Sequence, residues 1–219
     1  MPGAGREWFT VQHWVSVEGR GISATLVPVD APLVTLGDIA RGTWPAEFGQ
    51  RKGTVFSYVM NNYTPEGYLA GQGGEFTFRH VLTSGEKFDS TARSRLGWEV
   101  MSPLEVNEIR PNDKPVAVRG PLDAIQKSFL QVDQSNIVLL TWKLAEDEEG
   151  TILRFIEVGG KSATVTVTLP GINIERAWLC NAVEDNQRPL STAKHSVSFA
   201  VRPFEIITIR LSASSASGV

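Results

Sequence analysis

Residues 8–17 alternate in character, with Phe9, Val11, His13, Val15 and Val17 on one side and Trp8, Thr10, Gln12, Trp14 and Ser16 on the other. A period of two is the signature of a strand, and the two tryptophans predict that its second face is covered as well. Glu18-Gly-Arg-Gly21 supplies a turn, so residues 22–29 form the second arm of a hairpin. Asp30-Ala-Pro32 ends that arm before a short apolar run over 33–36. Residues 55–63 and 76–83 read as two further strands. Residues 37–52, punctuated by Gly37, Gly42, Pro45 and Gly49, read as a long loop in which Trp44 and Phe48 must tuck back onto the body. A single helix is predicted over 90–97, capped by Asp89 or Ser90 and ended by Gly97.

Pro103, Pro111, Pro115 and Pro121 make a regular element over 102–127 improbable, and a domain boundary is placed in or just after this zone. Beyond it, residues 128–132, 136–144, 151–158, 162–169, 176–181, 196–201 and 205–211 read as seven short strands. Turn signals at Glu146-Asp-Glu-Glu-Gly150, Gly159-Gly160, Pro170-Gly171 and Arg202-Pro203 separate them, which is the pattern of an antiparallel β-sandwich. The tail Ser212-Ala-Ser-Ser-Ala-Ser-Gly218 has nothing to bury and reads as frayed. The expected architecture is all-β, with domains over 1–127 and 128–212 and a disordered tail over 213–219.

Composition narrows the function. The 219 residues carry 20 Gly and 12 Pro, favouring strands and turns, and their 21 basic and 24 acidic side chains form no polycationic footprint for nucleic acid. No apolar run reaches the length of a membrane span, and the start Met1-Pro-Gly-Ala-Gly-Arg lacks the apolar core of a signal peptide. This favours a cytoplasmic over a secreted setting. The single cysteine, Cys180, cannot form an internal disulfide and sits in an apolar strand, as a small buried hydrophobe would.

Catalytic chemistry is sparse. His13, His80 and His195 show no metal-ligand spacing, there is no paired-cysteine motif, and no Gly-x-Ser-x-Gly elbow occurs. Gly71-Gln-Gly-Gly74 leads into a strand pattern rather than a helix, which excludes a phosphate-cradling loop. The acidic run Glu146-Asp-Glu-Glu149 lacks the alternation of a calcium loop and reads as a solvated hairpin tip. The most individual segment runs from Phe56 through Asn61, Asn62 and Tyr63 to Gln72 and Arg79. Amides, an aromatic ring and a guanidinium of this kind bind sugar hydroxyls and sugar faces, so Asn61, Asn62, Tyr63, Gln72 and Arg79 are candidate sugar contacts. The competing reading is a turn in which the Asn pair takes awkward backbone angles and Tyr63 packs inward.

The order Asp30-Ala-Pro-Leu-Val34, Gly42-Thr-Trp-Pro45, Phe56-Ser-Tyr-Val-Met-Asn-Asn-Tyr63, Gly71-Gln-Gly-Gly74 and Phe78-Arg79 resembles the β-rich C-terminal region of family 38 glycoside hydrolases, the zinc-dependent α-mannosidases, with bacterial members nearest. Val138-Leu-Leu-Thr-Trp-Lys-Leu-Ala-Glu-Asp147, Ile152-Leu-Arg154 and Pro203-Phe-Glu-Ile206 resemble the last small sandwich of that family. The resemblance implies part of a large sandwich (a galactose-mutarotase-like supersandwich portion) followed by a small antiparallel one. It also implies that the zinc ligands and catalytic aspartate belong to an N-terminal barrel that nothing here matches. The chain alone is then inactive and holds no cofactor, while its parent enzyme holds zinc and takes an α-mannoside or related glycan.

The sequence departs from bacterial members at Tyr63-Thr-Pro-Glu-Gly-Tyr68, where those carry Trp-x-Thr-Asn-Tyr after the Asn-Asn-Tyr motif. An autonomous carbohydrate-binding module, with Trp44, Tyr63 and Tyr68 as its aromatic platform, is the alternative reading. A partial sandwich also predicts an apolar sheet face and open edges, and hence self-association.

Overall fold

The computed structural model describes residues 7–37, 52–60, 71, 73–106 and 128–214. Among them the protein is all-β apart from one helix, and it divides into two compact units, Met1–Glu105 and Val106–Val219. The proline-rich stretch 107–127 lies outside the described residues.

Among its described residues the first unit has two three-stranded antiparallel sheets. β1 (Phe9–Thr10) pairs with β4 (Leu33–Leu36), which pairs with β5 (Val55–Ser57). β2 (Val15–Gly19), β3 (Ile22–Pro28) and β6 (His80–Gly85) form the other sheet, with β3 central. Arg20 and Gly21, both at positive φ (51° and 76°), make the tight β2–β3 turn that right-handed strand twist prefers.

The strand predicted over 8–17 is therefore two strands in two sheets. His13 takes φ 78° and turns the chain between them, and Trp14 swings onto the helix, where its Nε1 donates to Ser94 Oγ at 3.2 Å. That helix, α1 (Ser90–Met101), is capped by Asp89, whose Oδ1 accepts from the N–H groups of Thr91 and Ala92 at 2.9 and 3.1 Å. Gly97 does not end it. A Cβ there would stand 2.9 Å from His13 Cβ and 3.1 Å from Trp14 Cδ1, so the glycine lets the kinked chain cross the helix closely.

Two further strands are shorter than their apolar patterns suggest. The 55–63 run keeps strand geometry only to Ser57, and its last three residues lie outside the described residues. The 76–83 run begins its ladder at His80, because the N–H of Arg79 is spent on Asp30 rather than on a neighbouring strand.

The second unit is a sandwich. One sheet runs in the order β13 (Ser191–Ala193), β14 (Ser196–Val201), β10 (Ala163–Thr168), β7 (Gln131–Val132). The other runs β12 (Asn186–Pro189), β11 (Asn173–Cys180), β15 (Ile206–Ser214), β9 (Thr151–Glu157), β8 (Ile137–Leu144). Val165, Val167, Val197 and Phe199 from the first sheet meet Leu153, Phe155, Ile207 and Ile209 from the second in one continuous core. The Phe155 and Phe199 rings sit 5.7 Å apart, tilted by 35°. Each such side chain, buried fully, contributes about 1.5–3 kcal/mol.

β12 and β13 carry no apolar pattern and every residue in them is exposed, which is why the sequence reading lacks them. Between them Leu190 packs on the core and donates its N–H to Ala177, fixing the corner where the chain changes sheets. The frayed tail is corrected in part, since Ser212, Ala213 and Ser214 extend β15 and pair with Arg176, Ile174 and Asn173 of β11. Ladder hydrogen bonds need no apolar side chains, so the polar composition there does not prevent pairing.

Candidate functional site

Of the sequence-predicted sugar contacts, Asn61, Asn62, Tyr63 and Gln72 lie outside the described residues, as do Trp44 and Tyr68 of the alternative platform. Arg79 stands at the start of β6, beside the end of β3. Its backbone N–H and Nε donate to Asp30 Oδ2 at 2.7 and 3.1 Å, and its Nη2 donates to Oδ1 at 2.7 Å. This two-pronged pair clamps one strand end to the other. The hydrogen bonds from the Arg79 side chain and backbone hold the Asp30 carboxyl down at about 2, so it is an anion at any physiological pH. Next along β6, His80 Nε2 lies 3.0 Å from Ser57 Oγ on β5. Tyr58, one residue on, meets Trp8 edge to face with ring centroids 4.7 Å apart. The chemistry assembled is an ion pair, an imidazole–hydroxyl contact and two aromatic rings. Among the described residues it is a polar strand-end rim.

A larger polar network, which sequence reasoning missed, lies on the outer face of the five-stranded sheet. Register places Lys143, Ile152, Arg210 and Trp178 in one cross-strand row, and Thr141, Arg154, Thr208 and Cys180 in the next. Arg210 is 8% exposed; its Nη1 donates to both Asp147 oxygens (2.9 and 2.7 Å) and to the Glu149 carbonyl, and its Nη2 donates to the Glu184 carbonyl. Glu184 is buried and accepts from Lys143 at 2.8 Å and from the Glu146 N–H at 2.9 Å, while Lys143 also reaches Glu146. Arg154 donates to Thr208 Oγ1 and to the Ala182 carbonyl, both at 3.0 Å. Three cations face three carboxylates here.

The acidic run 146–149 is thus more than a solvated tip, because Asp147 and Glu146 tether it to the sheet. A signal was present in the sequence. Thr208 and Arg210 alternate with Ile207, Ile209 and Leu211, so a charged side chain had to lie on the sheet's outer face. Arg210 and Lys143 hold Asp147 and Glu184 respectively below the usual carboxylate range. Burial pushes the Cys180 thiol up, against the weaker pull of Arg210, which leaves it protonated and unreactive.

A third cluster is a carboxylate knot. Glu157, with no solvent exposure, accepts from Asn136 Nδ2 (2.6 Å) and from the N–H groups of Gly159 (2.6 Å), Gly160 (2.8 Å) and Phe204 (2.8 Å). Burial alone would raise its pKa, but these donors outweigh it and keep the group ionised. Among the described residues no three or more His, Cys, Asp or Glu side chains are grouped to hold a metal ion, and no helix is long and apolar enough to cross a membrane.

Residues 136–209, the body of this sandwich, match the glycosyl hydrolases family 38 C-terminal beta sandwich domain. The match covers about a third of the chain and relates this sandwich to glycoside hydrolase family 38. No curated protein matches the chain. The match spans β8 through β14 and the first part of β15, and so takes in the Glu157 knot and the partners Asp147 and Glu184, while Arg210 stands one residue beyond it.

Proposed function

We propose that this chain is the non-catalytic β-region of an α-mannosidase-like family 38 enzyme, packing against and shaping a catalytic barrel carried elsewhere in the polypeptide. The observation that carries the reading is the family 38 sandwich match over residues 136–209. It is supported by the polar clusters among the described residues, which hold loops and strand ends together. The substrate of the parent enzyme is an α-mannoside or related glycan, and its zinc is held by the barrel. Arg79, with Asn61, Asn62, Tyr63 and Gln72, would edge the sugar site from this side.

The test is hydrolysis of an aryl α-mannoside by the purified chain and by the same chain joined to its barrel. The expected result is no turnover and no stoichiometric zinc for the chain alone, with turnover restored by the barrel. Hydrolysis by the chain unaided, or an inert joined protein, overturns the reading. Titrating the chain alone with mannosides while following tryptophan fluorescence separates it from an autonomous sugar-binding module, which would respond without the barrel.

A further inference from the structure

Arg188 is a charge on the apolar side of its strand. Register sets it directly opposite Leu179, and opposed residues of an antiparallel pair point to the same face of the sheet. Leu179 packs against the sandwich core, so Arg188 stands on the inner side of the edge strand β12. Its guanidinium has no hydrogen-bond or ion-pair partner among the described residues. The space it borders is an open groove of about 700 Å³. The groove exists because β13 pairs with β14 only from Ser196 to Ser198. Beyond Ser198 the β14 edge at Ala200 and Val201 has no neighbouring strand on that side among the described residues. Such an edge offers unpaired backbone donors and acceptors.

The lining says what fits. Leu179, Ala163 and Val201 give an apolar floor, while Ser162 and Thr164 bring hydroxyls. Arg202 and Glu205 complete the groove as a rigid corner. Glu205 accepts from the Arg202 N–H (2.7 Å), Nε (3.2 Å) and Nη2 (2.7 Å), which fixes that guanidinium and leaves its Nη1 without a partner. Two guanidiniums and one carboxylate leave a single net positive charge, which suits a monoanion better than a phosphate dianion. The planar fork of an unpaired arginine matches a carboxylate, and hydroxyls beside an apolar floor match the two sides of a sugar ring. We propose that this groove binds an acidic sugar, a uronate whose carboxylate is taken by Arg188 and whose hydroxyls meet Ser162, Thr164 and the open β14 edge. This holds independently of any glycosidase role.

Titration of the full chain with sodium glucuronate at constant ionic strength, followed by backbone amide NMR, tests it. Binding should saturate with a Kd on the order of 1 mM, the range a small ligand reaches in an open site. The shifts should concentrate at Ala163, Thr164, Arg188 and Ala200–Arg202. Methyl glucoside, which lacks the carboxylate, and inorganic phosphate, which lacks the ring, should each bind at least about tenfold more weakly. Arg188→Ala should cost glucuronate at least about tenfold, and Arg188→Lys should recover part of the loss. Arg20→Ala, which removes the same charge from the other unit, should change nothing. Unshifted amides away from the groove show that each variant is folded. Glucuronate that fails to saturate by about 20 mM overturns the proposal, as does phosphate that binds equally well. An Arg188→Ala chain that self-associates while its affinity stands assigns the residue to guarding the strand edge, and that outcome overturns it too.

Discussion

His13 is bent into positive φ and packed edge to face on Trp98, with ring centroids 4.3 Å apart. Its Nε2 is buried without a hydrogen-bond partner, and burial lowers its pKa below the ordinary 6.5. The neutral ring is the form the fold accepts. Above pH 6.5 neither folded nor unfolded chain protonates it, and its contribution is intact. As pH falls from 6.5 toward the lowered folded value, the unfolded chain binds the proton first and stability is lost. Melting of the first unit should therefore fall across this window in the wild type and stay flatter in His13→Phe. Asp30 responds in the same direction at lower pH. Tethered by Arg79, it should titrate near 2 by carboxyl-carbon NMR, and Arg79→Ala should return it toward 3.8. Whatever the pair contributes is present above 3.8 and disappears as pH drops through the folded value. In the second unit Glu157→Gln turns an acceptor of four N–H groups into a side chain that also donates. The loss should be about 3 kcal/mol by chemical denaturation, since hydrogen bonds to a charged group are worth about 1.5–3 kcal/mol each.

Helix α1 shows how a local rule yields to packing. Gly97→Ala should gain about 1 kcal/mol in an isolated helix. Here the new methyl meets His13 Cβ at 2.9 Å, and neither the helix nor the turned strand can yield easily. The expected outcome is a net loss of about 1–3 kcal/mol in the first unit, read from its thermal transition. The same contact explains what the sequence showed and what it hid. Alternation over residues 22–28 and 163–168, and Asp89 ahead of the helix, were legible because each expresses a local period or a cap. The break at His13 was not, because its cause is a glycine 84 positions away in the sequence, 97 − 13. β12 and β13 were invisible because exposed edge strands have no apolar face to announce them. Of the candidate site, Arg79 was legible as a guanidinium at a strand end. Its partner Asp30, 49 residues earlier, was not, since an ion pair across a sheet leaves no spacing in the chain.

The two units are unequally provided with core. In the second, Ile137, Leu153, Phe155, Val165, Val167, Val197, Phe199 and Ile209 are all at most 4% exposed and belong to one cluster. In the first, the buried apolar side chains among the described residues are Val27, Pro28, Ala31 and Val34, and the main aliphatic surface of its β2-β3-β6 sheet faces outward. Stability follows buried apolar area, so the second unit should hold its fold without the first. Residues 128–214 expressed alone should melt cooperatively, at nearly the temperature of the corresponding transition in the full chain. In that chain, amide exchange should protect β9, β10, β14 and β15 well beyond β2, β3 and β6. A single transition shared by both units, or an isolated 128–214 segment that fails to fold, would mean that the first unit contributes to the sandwich core.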